Sequence, residues 1–151
     1  MRLEVLSFLL LTFASLAQAR GRCPLGFFRH GKSCYWISTT VASFAEAKTY
    51  CQYMQSHLAR ITSRYEDAFL RGQVRRRGKG TDYWLGATDL NVEGVWLWEG
   101  NKAMTYTNWG GDNPNNYKGV ENCLGLRKEN NYQWNDFQCH HRLNFICEKN
   151  L

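Results

Sequence analysis

DYWLGATDLNVEGVWLWEGN, residues 82–101, is where the pattern of this 151-residue chain changes. Its two runs, DYWLGAT and VWLWEG, are rich in aromatic and branched residues and separated by Asp, Asn and Gly, the signature of short strands joined by turns. ENCLGLR (121–127) and NFICE (144–148) continue the series. Trp84, Trp96 and Trp98 lie in strand-like runs and read as core aromatics. Upstream the period is helical. SFAEAKTYCQYMQS (43–56) opens on Ser43-x-x-Glu46, a capping box whose hydroxyl and carboxylate satisfy the free N–H groups of a helix start. Phe44, Ala47, Cys51 and Met54 then recur on one face. SRYEDAFLRGQVRRRG (63–78) repeats the device with Ser63-x-x-Glu66, points Ala68, Leu70 and Val74 inward and stops at Gly78. Nearer the N-terminus, GFFRHGKSCYWI (26–37) places apolar residues on both sides of His30-Gly31-Lys32, as in a hairpin turning at Gly31. Helices followed by strands predict an α+β domain rather than a parallel α/β fold.

The first residues read as a leader. Arg2, an apolar run from Val5 to Ala17 and the small-x-small site Ala17-Gln18-Ala19 make residues 1–19 a secretory signal peptide, leaving residues 20–151 as one secreted, extracellular domain. The run falls short of the roughly 20 residues that span a bilayer, so no membrane span is expected. All six cysteines (Cys23, Cys34, Cys51, Cys123, Cys139, Cys147) follow the leader, and an even count in an oxidising compartment reads as three disulfides. Spacing cannot choose among the roughly 15 pairings, although Cys23 and Cys34 would staple the hairpin to the segment before it. Zinc binding by thiolates has no Cys-x-x-Cys to support it. His140 and His141 also lack a spaced partner set and read as surface residues.

The formal net charge is +6, which attracts anionic surfaces such as acidic glycans, microbial envelopes or mineral, and equally describes a well-solvated surface. Arg75, Arg76, Arg77 and Lys79 cluster at a helix end, where cations suit the helix dipole as well as they suit an anion. No Asn-x-Ser/Thr acceptor for N-linked sugar occurs. Between Gly100 and Glu121 runs a long polar segment with little strand or helix signal. Loops of that length in a small domain tend to be functional, and Trp109 with Pro114 argues for order.

CPLGFFRHGKSCYWIS, the helical Cys51, YWLGATD, EGVWLWEG, NW (108–109), NPN (113–115), ENC (121–123), WND (134–136), Cys139 and FICE occur in an order that resembles the C-type lectin-like domain family, over nearly all of residues 23–148. Within it, WLGATDLNVEGVWLWEGN is similar to mollusc lectins of the perlucin type. The resemblance implies a long-form C-type lectin fold: two helices on small antiparallel sheets, with a long calcium-binding loop. It also implies the pairing Cys23–Cys34, Cys51–Cys147 and Cys123–Cys139.

The same resemblance assigns a calcium and sugar site to Asn113, Asn115, Glu121, Asn135 and Asp136, including the Asp136 carbonyl, with Pro114 cis. Amide, carboxylate and carbonyl oxygens are the ligands Ca²⁺ takes. Sugar binding falls to Asn113, Asn115, Glu121 and Asn135, with Tyr117 where galactose-type relatives place a stacking aromatic. An auxiliary metal site would use Asp89, Glu93, Asn116 and Asn122 together with Glu121. Relatives flank the proline with one acid and one amide: Glu-Pro-Asn resembles mannose-type binders and Gln-Pro-Asp galactose-type ones. Here both flanks are Asn, leaving Glu121 and Asp136 as the only formal charges, so calcium should bind more weakly and sugar preference is open.

Catalysis is not expected, because no arrangement of paired carboxylates or activated nucleophile is recognisable. The expected function is that of a secreted, calcium-dependent lectin for mannose- or galactose-type sugars in glycan recognition or innate defence, with homo-oligomers as the route to avidity and no nucleic-acid partner. The alternative is a shell-matrix or protein-binding member in which sugar binding is lost or incidental.

Overall fold

The computed structural model describes residues 21–151; the leader read at residues 1–19 lies outside the described residues. Strands β1 (Phe28–His30) and β2 (Ser33–Ile37) form the predicted hairpin, with Gly31 at φ 58° in its turn. Helix α1 (Phe44–Tyr53) follows, then β3 (His57–Leu58), α2 (Arg64–Arg77) and β4 (Asp82–Thr88). After these come β5 (Leu97–Trp98), β6 (Lys102–Ala103), β7 (Cys123–Arg127), β8 (Gln133–Phe137) and β9 (Asn144–Asn150). Two short 3-10 turns, Tyr117–Gly119 and Lys128–Asn130, interrupt the later part of the chain. The α+β reading holds. Among the described residues no helix is long and apolar enough to cross a membrane.

The last strand joins the halves. β9 pairs antiparallel with β2 and β3 and parallel with β4 at Tyr83↔Asn144 and Trp84↔Phe145. β4 in turn pairs with β5 and β7, and β7 with β8, so β4 and β9 form the spine on which the later strands hang. Trp84 is fully buried against Phe44 and Phe137, and Trp96 and Trp98 are buried too, as their strand contexts imply. Gly86 keeps β4 close to the neighbouring chain, since a Cβ there would stand 2.7 Å from the Leu58 carbonyl oxygen.

Helix α1 starts as read: the Ser43 hydroxyl accepts from Glu46 N–H while Glu46 accepts from Ser43 N–H. Phe44, Ala47 and Cys51 are buried and Met54 is half-buried. At α2 the second capping box is only half made. Ser63 accepts from Glu66 N–H, but the Glu66 carboxylate bonds Thr62 N–H at 2.7 Å and the Tyr35 hydroxyl instead of returning to Ser63. The inward face of α2 also differs from expectation. Ala68 is exposed, while Asp67, Leu70, Gln73 and Val74 are buried, because Asp67 serves donors arriving from the long loop and β8. The three disulfides pair as the family resemblance implied: Cys23–Cys34, Cys51–Cys147 and Cys123–Cys139, with Cα separations of 5.5, 5.4 and 5.2 Å.

Candidate site on the long loop

The loop between β6 and β7 has little regular structure, as expected, yet it is pinned at its middle. Trp109 and Trp134 form a bridge: Trp134 N–H donates to the Asn108 carbonyl and Gly110 N–H to the Trp134 carbonyl, both at 2.9 Å. Gly110 is buried, and a Cβ on it would meet Gln133 and Asn130 side chains at 2.9 and 3.0 Å. Trp98, Tyr106 and Trp109 pack edge-on around Trp134 with ring centroids 5.7–5.9 Å away. Beneath them lies Asp67, 1% exposed, which accepts from the Trp134 indole N–H at 2.8 Å, from the Asn108 amide at 2.7 Å and from Arg71 at 3.4 Å.

This foundation sets the approach of loop to strand. β8 presents Asn135 and Asp136, both buried, beneath residues 113–121. The Asp136 carboxylate accepts from Asn115 N–H at 3.2 Å and Asn116 N–H at 2.6 Å, so a side chain of β8 gathers the loop backbone just after the cis Asn113–Pro114 bond. Asn113 donates its amide nitrogen to the Gly110 carbonyl at 2.6 Å, which leaves its amide oxygen as the free polar atom. Tyr117 N–H donates to Glu121 Oε2 at 3.1 Å, and Glu121 N–H to the Asn116 side-chain oxygen at 3.0 Å. The Asn135 amide nitrogen meets the Asp136 carbonyl in a very short contact.

Asn115, Tyr117, Glu121 and Asn135 line one cleft of about 720 Å³, which continues past Phe137 and His141 to Thr81, Asp82, Arg127, Lys128 and Glu129. Tyr117 is exposed at its rim. Asn113, half-buried, and Asp136, buried, are not among the residues that line this cleft. Asp89, Glu93, Asn116 and Asn122 converge beside it. Asn122, with its nitrogen turned toward the acids, donates to Asp89 Oδ1 at 3.1 Å and Glu93 Oε2 at 3.3 Å, and Glu93 also accepts from the Asn116 side chain. His140 and His141 are exposed, as read from the sequence.

Burial pushes the Glu121 carboxyl above the usual carboxylate range; the Tyr117 N–H opposes the rise and the negative charge of Asp136 adds to it. Glu93 is raised as well, by desolvation and then by Asp89. Acids and amides thus crowd this region, and the charge of Arg127, which lines the same cleft, only partly offsets the rise at Glu121. Among the described residues no three His, Cys, Asp or Glu side chains converge as a metal cluster. The lower strip of the cleft, from Thr81 to Glu129, and the Asp67 foundation carried no motif that sequence reading could seize. Both arise from contacts between segments distant in the chain.

A paired-sheet fold stapled by these three cystines, with a long loop seated on a Trp-Asn-Asp strand, is that of a C-type lectin domain, and the chain belongs to that family: residues 40–149 match the Lectin C-type domain. It is 56% identical to perlucin of Haliotis laevigata over 128 residues, 84% of this chain and 83% of that one. It is 30% identical to a perlucin-like protein of Mytilus galloprovincialis over 155 residues, 97% and 99% of the two chains. Among solved structures, the mouse scavenger receptor C-type lectin carbohydrate-recognition domain superposes with a TM-score of 0.76 at 37% identity, over 85% of this chain and 96% of that one. Lectins of this family are non-enzymatic carbohydrate-binding proteins and generally bind calcium.

Proposed function

We propose that this domain is an exported lectin that binds glycans through a calcium ion held at Asn113, Asn115, Glu121, Asn135 and Asp136. The observation that carries the reading is that Asn115, Glu121 and Asn135, drawn from the loop and from β8, line one cleft together with the exposed ring of Tyr117. The donor set is all oxygen, which suits a hard cation. Bound there, calcium would supply a Lewis-acidic centre for two hydroxyls of a sugar, while the protein supplies orientation. The auxiliary set of Asp89, Glu93, Asn116 and Asn122 suits a second ion, with the Asn122 amide turned so that its oxygen faces the ion instead of its nitrogen donating to the two acids.

The Gly110 carbonyl bears on sugar preference. By holding the Asn113 nitrogen it leaves Asn113 to act through oxygen alone, the role an acid plays before this proline in mannose-type relatives. Asn115, whose side chain has no hydrogen-bond partner among the described residues, keeps both donor and acceptor atoms for a sugar. Mannose-type hydroxyl geometry is therefore the favoured specificity. Paired mannose- and galactose-agarose columns in millimolar calcium test it: retention on mannose with release by EDTA is expected, and retention on galactose alone would refute it.

Asn113→Glu adds a third negative charge to the set and should tighten calcium binding roughly tenfold or more, since affinity rises with ligand charge. Unchanged affinity in calorimetric titration would show that Asn113 does not face the ion.

The raised carboxyls also fix a pH dependence. A carboxyl whose folded pKa lies above its unfolded value favours folding below the unfolded pKa, and that contribution is lost as pH rises through the folded one. Without metal, Glu121 and Glu93 therefore penalise the folded state at neutral pH, and a bound cation removes the penalty. Calcium should raise the melting temperature more at about pH 7 than at about pH 5, where protons compete for the same oxygens. An equal increment at both pH values would exclude these carboxyls as ligands.

A further inference from the structure

A group of cations gathers where the end of α2 meets the turn after β7. Helix α2 finishes with Arg75, Arg76 and Arg77, Lys79 follows its cap, and the turn between β7 and β8 brings Arg127 and Lys128 to the same place. The Asn131 carbonyl oxygen accepts from Arg71 at 2.9 Å and from Arg75 at 3.0 Å, fixing that turn against the helix. Lys128 N–H donates to Asp82 Oδ1 at 2.9 Å, which ties in the segment carrying Lys79. Three elements thus meet through bonds that leave most of their charge unspent.

Tracing each cation shows how little is neutralised. Arg71 pairs with Asp67, and Arg127 with Glu129 at 2.7 Å. Arg75 bonds the uncharged oxygens of Asn131 and lies over the Tyr132 ring at 5.8 Å, and Arg77 lies over the Phe28 ring at 4.9 Å. Arg76, Lys79 and Lys128 are exposed and have no hydrogen-bond or ion-pair partner for their side chains among the described residues. Half-buried Asp82 is the one acid left among them. The helix dipole accounts for cations in the last turn of α2, but not for Lys79 beyond the cap or for Lys128 on another segment.

The cleft connects this end to the candidate sugar site. Its lining includes Asn115, Tyr117, Glu121 and Asn135 together with Thr81, Asp82, Arg127, Lys128 and Glu129, so that, among the described residues, Lys128 is the unpaired cation it reaches. At about 720 Å³ it lies in the upper part of the range for ligand pockets, with room beyond one sugar ring. No exposed aromatic ring among the described residues offers a stacking surface at the basic end: Tyr132 is 7% exposed and Phe28 lies under Arg77. Single-stranded nucleic acid, which needs such rings, fits poorly.

We infer that the surface formed by Arg75, Arg76, Lys79 and Lys128 binds sulfated polysaccharide independently of calcium. Binding of this kind releases counterions, so it weakens steeply with salt. Its first contact needs no metal, so it stands even where the calcium reading above fails.

Immobilised heparin tests it, with elution by a sodium chloride gradient in EDTA. The protein should be retained, and the Arg76→Ser/Lys79→Ser/Lys128→Ser variant should elute at clearly lower salt, with a solution affinity roughly tenfold or more weaker and a shallower dependence on salt. An unchanged melting temperature establishes that the variant is folded. Three results would overturn the inference: no retention of the wild type at about 0.15 M salt, identical elution of the variant, or equal affinity for single-stranded DNA of matched charge, which would make the surface indifferent to the kind of polyanion.

Discussion

Replacing Cys51 and Cys147 together by Ala is expected to destabilise the domain by about 4–5 kcal/mol and to abolish refolding at 37 °C. The bridge spans 96 residues, against 11 for Cys23–Cys34 and 16 for Cys123–Cys139. Chain-entropy arguments give about 4.7 kcal/mol for a loop of 100 residues and about 3 for one of 15. Position adds to length. Both half-cystines are fully buried, one on the inner face of α1 and the other on β9, the strand that joins the two halves of the sheet. Ala at both sites would also leave space beside Leu58, Trp84 and Phe145 in the same cluster. Domains of this kind have about 5–15 kcal/mol in all, so the loss is a large share of it. Urea unfolding of this variant and of Cys23→Ala/Cys34→Ala should put the first well below the second. Equal midpoints would show that loop length does not set the hierarchy.

Asp67→Ala should cost about 3–5 kcal/mol, the range for breaking a buried charged network by removing one member. Three donors lose their acceptor at once: the Trp134 indole N–H, the Asn108 amide and the Arg71 guanidinium. The loss also reaches the candidate site, since Asn108 and Trp134 fix the loop on β8 and Asn135 and Asp136 follow Trp134 directly. Calcium-dependent sugar retention should fall along with the melting temperature. Asp67→Asn keeps one acceptor and should cost less, about 1–3 kcal/mol. Arg142→Ala breaks the exposed 2.9 Å pair with Glu46 and serves as a control, expected within about 1 kcal/mol of wild type. Asp67→Ala behaving like Arg142→Ala would mean that Asp67 does not support the loop.

Much of the fold was legible because its signals are local. The Ser43 and Glu46 pair announces α1 within four residues, and Gly31 announces a hairpin within twelve. Where a residue answers to a distant partner, local reading fails. Glu66 looked like the second arm of a capping box, but Tyr35 lies in reach and draws its carboxylate away. Nothing in the local pattern singles out Asp67, and Ala68 reads as the inward residue. The order is reversed, because Trp134, 67 positions onward, brings its indole N–H to that face. Strand β8 escaped notice for a related reason: its Asn and Asp look solvent-facing until the loop covers them.

The candidate site was legible through family resemblance more than through physics. Asn-Pro-Asn alone is an ordinary turn sequence. What the residues could not disclose was how each amide is oriented. That Asn113 has its nitrogen held by Gly110 and its oxygen left free depends on the loop's path, and on this rests the proposal of mannose-type specificity. The cleft's continuation to Lys128 is likewise a product of the fold, since helix α2 and the turn after β7 are far apart in sequence.

The most direct test of the central claim is a crystal structure grown in millimolar calcium with a mannose disaccharide. The account predicts an ion bonded to oxygens of Asn113, Asn115, Glu121, Asn135 and Asp136, with two sugar hydroxyls completing its shell beside Tyr117. A loop without an ion under those conditions, or a saccharide bound elsewhere on the domain, would contradict it.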